Sequence, residues 1–206
     1  MTRGRLITIE GLDGAGKTTL AIRLEGALRE RGIDVVRLRE PGGVRAAERV
    51  RELVKDPDLE IGSRAEALLY AAARAQLVEE ALAPLLAAGK WLLLDRFVDS
   101  SLAYQGAGRS LGIESVKAVN EFATGKLQPD RTLLLSVDTA LGRSRSDARA
   151  GRPDRLERED DEFFARVARG YMELAAAEPQ RIRVIDAAQP SDGVLSAALA
   201  ELEDLL

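Results

Sequence analysis

A chain of 206 residues with a formal charge of −4 is long enough for one α/β domain with a full core, or at a stretch two small ones, and lacks the basic excess of a general nucleic-acid binder. With no cysteine and no histidine, disulfides, thiolate catalysis, imidazole bases and the usual zinc ligands are excluded. Any metal must be held by oxygen, which suits Mg2+.

Met1-Thr2-Arg3-Gly4-Arg5 leads into a strand with no signal peptide, and the longest apolar runs are short of a membrane span and broken by charge. A cytoplasmic protein with no membrane partner is the expectation. Leu6-Ile7-Thr8-Ile9 reads as a short buried strand. Behind it, Gly11-Leu12-Asp13-Gly14-Ala15-Gly16-Lys17-Thr18 fits G-x-x-x-x-G-K-[ST], and Leu20, Leu24 and Leu28 then place an apolar stripe on a helix. Glycines let successive N–H groups turn toward phosphate oxygens, and the helix adds its positive end. Lys17 suits the β- and γ-phosphates, and the Thr18 hydroxyl suits Mg2+. Gly11 through Thr18, with Thr19, are the expected ATP-binding residues.

Arg31-Gly32 stops this helix. Val35-Val36-Arg37-Leu38 reads as a second strand, Arg39-Glu40-Pro41-Gly42-Gly43 as a rigid loop, and Val44 to Val54 as a helix. From Ser63 a helical pattern runs toward Ala88, apolar around much of its circumference, with Pro84 expected to kink or interrupt it. Trp91-Leu92-Leu93-Leu94 is a continuous apolar run, as a central parallel strand requires. It ends at Asp95-Arg96, where ligands gather in such sheets. Phe97 to Arg109 is polar, with Ser100, Ser101, Tyr104, Gln105 and two glycines; a helix near Ile113–Phe122 follows. Thr132 to Val137 is a fourth strand. A charged tract from Arg143 to Asp161 precedes a helix through Phe163 and Leu174, a fifth strand at Arg183-Val184-Ile185-Asp186, and a last helix opened by Pro190. Strands alternating with helices throughout predict one α/β domain over 1–206, layered α/β/α about a parallel sheet.

Glu10 to Thr19, Arg39-Glu40-Pro41-Gly42-Gly43, Asp95-Arg96-Phe97 and Ala103-Tyr104-Gln105-Gly106-Ala107-Gly108-Arg109 resemble the thymidylate kinase family, in that order and with similar separations. The resemblance spans about Arg5 to Asp186. It implies a P-loop nucleoside monophosphate kinase fold with a five-stranded parallel sheet, transfer of the γ-phosphoryl of ATP to dTMP, a lid over the phosphates, and a homodimer packed through helices.

Phosphoryl transfer needs positioning and charge neutralisation more than covalent chemistry. Asp95 could bind Mg2+ directly or through water, and Arg96 could hold the acceptor phosphate bidentately; the resemblance also puts Arg96 there. The resemblance turns Asp13 toward the deoxyribose 3′-hydroxyl, stacks the aromatic at position 70 on thymine, and brings Arg74 to the acceptor. Phenylalanine is usual where Tyr70 stands, and core packing competes for that residue. Ser100, Ser101, Tyr104 and Gln105 offer hydroxyls and an amide to a base edge and sugar, although helix capping explains either serine as well. Glu40 and Pro41 complete the expected substrate site. Gly151 and Pro153 break the tract at about 143–158, making it a candidate lid that carries Arg149, Arg152 and Arg155. Asp154-Arg155-Leu156-Glu157 resembles the lid of members whose P-loop lacks an arginine, and Gly14 stands at that P-loop position here. Arg155, then Arg149, is therefore the expected catalytic cation. Val44 and Leu77 stand where threonine and histidine are common.

Two other readings compete: a related kinase with another acceptor, and a P-loop ATPase switch that needs none.

Overall fold

Alternate residues of one central strand divide the molecule into its layers. The computed structural model describes residues 3–147 and 154–206, and Leu6–Gly11 (β1) is buried along its whole length. Val35–Arg39 (β2), Trp91–Asp95 (β3), Arg131–Ser136 (β4) and Ile182–Asp186 (β5) complete a five-stranded sheet among the described residues. Its order is β2-β3-β1-β4-β5 and every pair is parallel. The central strands are buried on both faces because helices cover both. The helices in chain order are Lys17–Glu30 (α1), Arg45–Lys55 (α2), Ser63–Leu77 (α3), Ala83–Ala87 (α4), Val98–Ser101 (α5), Ile113–Thr124 (α6), Thr139–Asp147 (α7), Asp161–Ala177 (α8) and Ser191–Ala200 (α9).

Ile7 and Ile9 of β1 join Leu93, Leu133 and Leu135 beneath α1 and α9, where Leu24, Leu28 and Ala198 close the layer. Burying a leucine side chain of this kind contributes about 2 kcal/mol. On the opposite face, Leu6, Leu92 and Leu94 meet Leu77, Leu82 and Phe97. Farther along that face, Leu134 meets Ala103, Tyr104, Phe163 and Tyr171. Thr8 and Glu10 are fully buried on β1, and each polar group finds a partner, as burial demands. Thr8 Oγ1 lies 2.7 Å from Thr132 Oγ1, Thr132 donates to Asp99 at 3.0 Å, and Arg181 grips Asp99 at 2.7 and 2.9 Å. That chain of bonds ties α5, just beyond the β3 terminus, to the sheet.

The elements differ from the sequence expectation in four places. The long helix from Ser63 is interrupted, but by a wide turn over Val78–Leu82 in which Ala83 N–H bonds the carbonyl of Val78. Pro84 then sits in the first turn of α4, where its missing N–H leaves no bond unmade. The polar segment after Phe97 is helical: α5 runs into a second wide turn over Leu102–Gly108. Its glycine at 108 serves packing, since an added Cβ would lie 2.8 Å from both Phe163 and Val167 of α8. Finally, α7 occupies Thr139–Asp147, where no element was expected. Asp138 starts it, accepting from Leu141 N–H at 3.3 Å. β4 also begins one residue before the expected strand and stops one residue short of it. Residues 148–153, with Arg149 and Arg152, lie outside the described residues.

Candidate active site

The loops after β1, β2 and β3 converge at the carboxyl ends of adjacent strands, where the strand order turns back on itself. They enclose a cleft of about 620 Å³. Gly11, Gly14 and Gly16 have φ of 135°, 79° and 94°, a backbone that other residues rarely adopt. At Gly14 there is a second constraint: an added Cβ would lie 1.9 Å from the Gly142 carbonyl oxygen of α7. A side chain at position 14 has no room. Leu12 and Ala15 turn their side chains into the two cores, and Thr19 is exposed. The first turn of α1 has no side-chain cap, leaving its N–H groups open to an anion.

Lys17 Nζ donates to the carbonyls of Gly11 (3.1 Å) and Leu12 (2.9 Å) and lies 3.5 Å from Asp13 Oδ1. Burial lowers its ammonium to about 8; Arg96 pushes the same way, while Asp13 and Asp95 oppose. The Thr18 hydroxyl donates to Asp95 Oδ2 at 3.2 Å, so the two expected metal ligands are neighbours.

Arg96 adopts φ of 70°, unusual for a residue with a side chain. The strain is held by many bonds. Its backbone N–H donates to Ile9, Nη2 to Asp13 at 2.8 Å and Tyr104 at 3.3 Å, and Nη1 to Ser100 at 3.1 Å and Tyr171 at 3.3 Å. The guanidinium also lies 5.0 Å from the centroid of the Tyr104 ring. Burial would raise the Asp13 carboxyl, but Arg96 and Lys17 hold it well below the usual carboxylate range. Beneath Arg96, Glu10 accepts from Phe97 N–H at 2.7 Å, Tyr171 at 2.8 Å and Ser100. Burial, then Asp99, pushes the Glu10 carboxyl upward.

Arg74 is bonded into the wall of the cleft. It donates to Glu40 at 2.7 Å, Ser101 at 3.0 Å, the Phe97 carbonyl at 3.1 Å and Asn120. The second oxygen of Glu40 is buried with no hydrogen-bond partner among the described residues, and burial pushes this carboxyl to about 7 against the pull of Arg74. The Glu40–Pro41 peptide is cis. Val44 has no hydroxyl to cap α2, and Glu48 in that helix accepts from Gly43 N–H, just ahead of it, at 2.9 Å.

Tyr70, Arg74, Ser100, Ser101, Tyr104 and Gln105 all line the cleft with Lys17, Asp95 and Arg96. Burial, then Glu66, raises the Tyr70 phenol. Arg155 is bonded to α2 and α3. Its Nε donates to the Val54 carbonyl at 3.1 Å and its Nη2 pairs with Glu66 at 2.5 Å, facing α3. Its neighbours Asp154, Leu156 and Glu157 do reach the cleft, and Asp154 pairs with Lys55 at 2.5 Å.

Glu10, Glu66, Asn120 and Tyr171 were not anticipated as members of this network. For Glu10 a signal existed, a charge closing an otherwise apolar strand. For Glu66 it was an acid one turn before Tyr70 in an alanine-rich helix. Asn120 and Tyr171 gave none.

A P-loop on a central parallel strand, a hydroxyl–carboxylate pair beside it and an arginine facing it define a phosphotransferase of the nucleoside monophosphate kinase class. A family model described as thymidylate kinase matches residues 9–197. The chain is 52% identical over 192 residues to a thymidylate kinase of Deinococcus radiodurans, covering 93% of each chain. With a thymidylate kinase of Alkalilimnicola ehrlichii it shares 46% identity over 200 residues, 96% of this chain and 91% of that one. With one of Geobacillus it shares 45% over 204 residues, 98% and 97% of the two chains. The chain belongs to the thymidylate kinase family.

Proposed function

We infer that this protein transfers the γ-phosphoryl group of ATP to dTMP, giving ADP and dTDP for dTTP synthesis. The observation that carries the reading is Arg96, held by Asp13 across from Lys17 in one cleft with Tyr70 and Gln105. A donor phosphate on the P-loop and an acceptor phosphate on Arg96 would be aligned by the protein, which leaves positioning and charge neutralisation as its work. Lys17 would follow the β- and γ-phosphates, Arg96 the acceptor phosphate, and Asp13 the sugar hydroxyl. Tyr70, Tyr104, Ser100, Ser101 and Gln105 would hold the nucleoside; Glu40 and Pro41 shape that wall, with Glu40 keeping Arg74 in place.

Thr18 and Asp95 would hold Mg2+, which neutralises phosphate charge when bound. Their oxygens suit a hard cation, and no group of three acidic ligands occurs among the described residues, so phosphates and water would supply the rest. The segment about 143–158 acts as the lid of this one-domain chain, of the type with glycine in the P-loop and arginines in the lid. Supporting this are the closed position of Gly14 and the contact of Asp154, Leu156 and Glu157 with the cleft. Arg149 and Arg155 are its catalytic candidates, and Arg155 would have to leave Glu66 to act on phosphate. We place the enzyme in the cytoplasm without membrane or nucleic-acid partners; no helix among the described residues is long and apolar enough to cross a membrane.

ADP release from Mg-ATP with dTMP, dUMP, AMP, CMP, thymidine and no acceptor tests the reading. Fast turnover with dTMP is expected. Preference for another acceptor would select the related-kinase reading, and equal turnover without acceptor would select the ATPase switch.

A homodimer through α2, α3 and α6 completes the proposal. α3 packs between the other two, and each carries a large exposed apolar side chain: Leu53, Leu68 and, 92% exposed, Phe122. Phe122→Asp is expected to shift the mass seen by light scattering from two chains to one at micromolar concentration. An unchanged mass would place the interface elsewhere.

A further inference from the structure

Glu66 stands on α3 with none of its surface exposed. A carboxylate buried this deeply is costly unless its oxygens are met by donors. Arg109 meets it through Nε at 3.3 Å and Nη2 at 3.1 Å, and Arg155 pairs with it at 2.5 Å. Those two guanidiniums answer its charge. The third partner, Gln105, brings no charge: its Nε2 donates to Glu66 Oε1 at 2.8 Å. That bond instead decides which way round the Gln105 amide stands.

The two ends of an amide have nearly the same shape, but one accepts and the other donates. Turned over, Gln105 Oε1 would face a carboxylate oxygen inside a buried site, acceptor against acceptor. The order is therefore locked from behind. In front, Gln105 lines the cleft, and no donor among the described residues reaches its Oε1. Oε1 and the second N–H remain for a ligand.

Amide order matters to a pyrimidine. Thymine offers an N3–H donor beside a carbonyl acceptor; cytosine offers an N3 acceptor beside an amino donor. An amide can make two bonds to either base, but only in opposite orders. Resting on the acceptor site inferred above, we propose that Glu66 is a positioning residue that holds Gln105 with its oxygen set to accept from N3–H, and thereby sets the preference for a thymine- or uracil-type base over cytosine. Glu66 never touches the nucleotide; it acts through Gln105.

The test is steady-state kinetics with dTMP and dCMP for wild type, Glu66→Gln, Glu66→Asp and Gln105→Ala. In Glu66→Gln the facing amide can accept or donate, so Gln105 is free to turn over. The dTMP-to-dCMP ratio of kcat/KM is expected to fall by about tenfold or more, chiefly through the KM of the acceptor, with the KM of ATP unchanged. Glu66→Asp keeps the charge that Arg109 and Arg155 require but withdraws by one methylene from Gln105. It lowers the ratio too, and it carries the test should Glu66→Gln fail to fold. In a Gln105→Ala background, Glu66→Asp changes the ratio no further. If Glu66 only neutralises arginines, both Glu66 variants retain the wild-type ratio while stability and kcat fall for both acceptors, and the proposal is overturned. A wild type that does not separate dTMP from dCMP also overturns it. A wild type inactive on dTMP overturns the acceptor reading itself.

Discussion

Arg96→Ala is expected to lower kcat/KM for dTMP by about 10³-fold or more, equivalent to about 4 kcal/mol, while binding of Mg-ATP measured without acceptor changes little. The size follows from what the side chain does. Its planar fork lines the cleft with both Nη groups bonded to Asp13, Ser100, Tyr104 and Tyr171, which fix its orientation, and an acceptor phosphate would take over some of those bonds. A guanidinium oriented in advance binds a phosphate without losing further side-chain freedom, and in a site shielded from water each charged hydrogen bond counts for more. The backbone at position 96 bends to deliver it, with φ of 70°, a conformation a protein holds only where its surroundings impose it. Alanine would remove the fork and leave Asp13 with Lys17 as its remaining cation, at 3.5 Å. Arg96→Lys separates charge from shape: a point charge restores part of the rate but not the bidentate fit, and is expected to lie between the other two. A variant without Arg96 that retains its dTMP kinetics within threefold would place the acceptor phosphate elsewhere.

The parts of this site that could be read from the sequence are those whose signal is local. The P-loop needs residues at fixed offsets after a strand, and β1, β3 and β4 announce themselves as continuous apolar runs because helices cover both faces. Asp95 and Arg96 were visible for the same reason, as charges where such a run stops. What escaped depends on distant partners. Tyr171 bonds Glu10 across 161 positions, and Glu66 joins Gln105 and Arg109 from one distant segment and Arg155 from another. No spacing rule reaches so far. The turns at Val78–Leu82 and Leu102–Gly108 escaped because a widened helix breaks the 3.6-residue period on which helix recognition rests. The glycines at 106 and 108 mislead in the same way: they suggest a loop, whereas Gly108 clears space for α8 to cross. α7 was hidden inside a charged tract with no apolar stripe, although Asp138 ahead of it was a legible cap.

Lys17→Met is expected to lower kcat/KM for Mg-ATP by about 10³-fold, and the pH profile identifies the cause. In the free enzyme, burial and then Arg96 depress the Lys17 ammonium to about 8. The charged form, which attracts phosphate, is the form present below that value. Wild-type kcat/KM for Mg-ATP should therefore be level through neutral pH and fall about tenfold per unit above about 8. Bound phosphate favours the cation, so kcat itself should hold to higher pH than kcat/KM. The residual activity of Lys17→Met should lack the limb near 8, and a limb that persists would belong to another group. Stability runs the opposite way. Between about 8 and the unperturbed value of 10.5 the unfolded chain binds more protons at this position than the folded one, so this lysine favours folding increasingly as pH rises. Below 8 its buried charge works against the fold, and Lys17→Met should melt no lower than wild type at pH 7. A variant that is both slow and no less stable would place the lysine where the geometry does, folded back on the carbonyls of Gly11 and Leu12 at a cost to the empty protein.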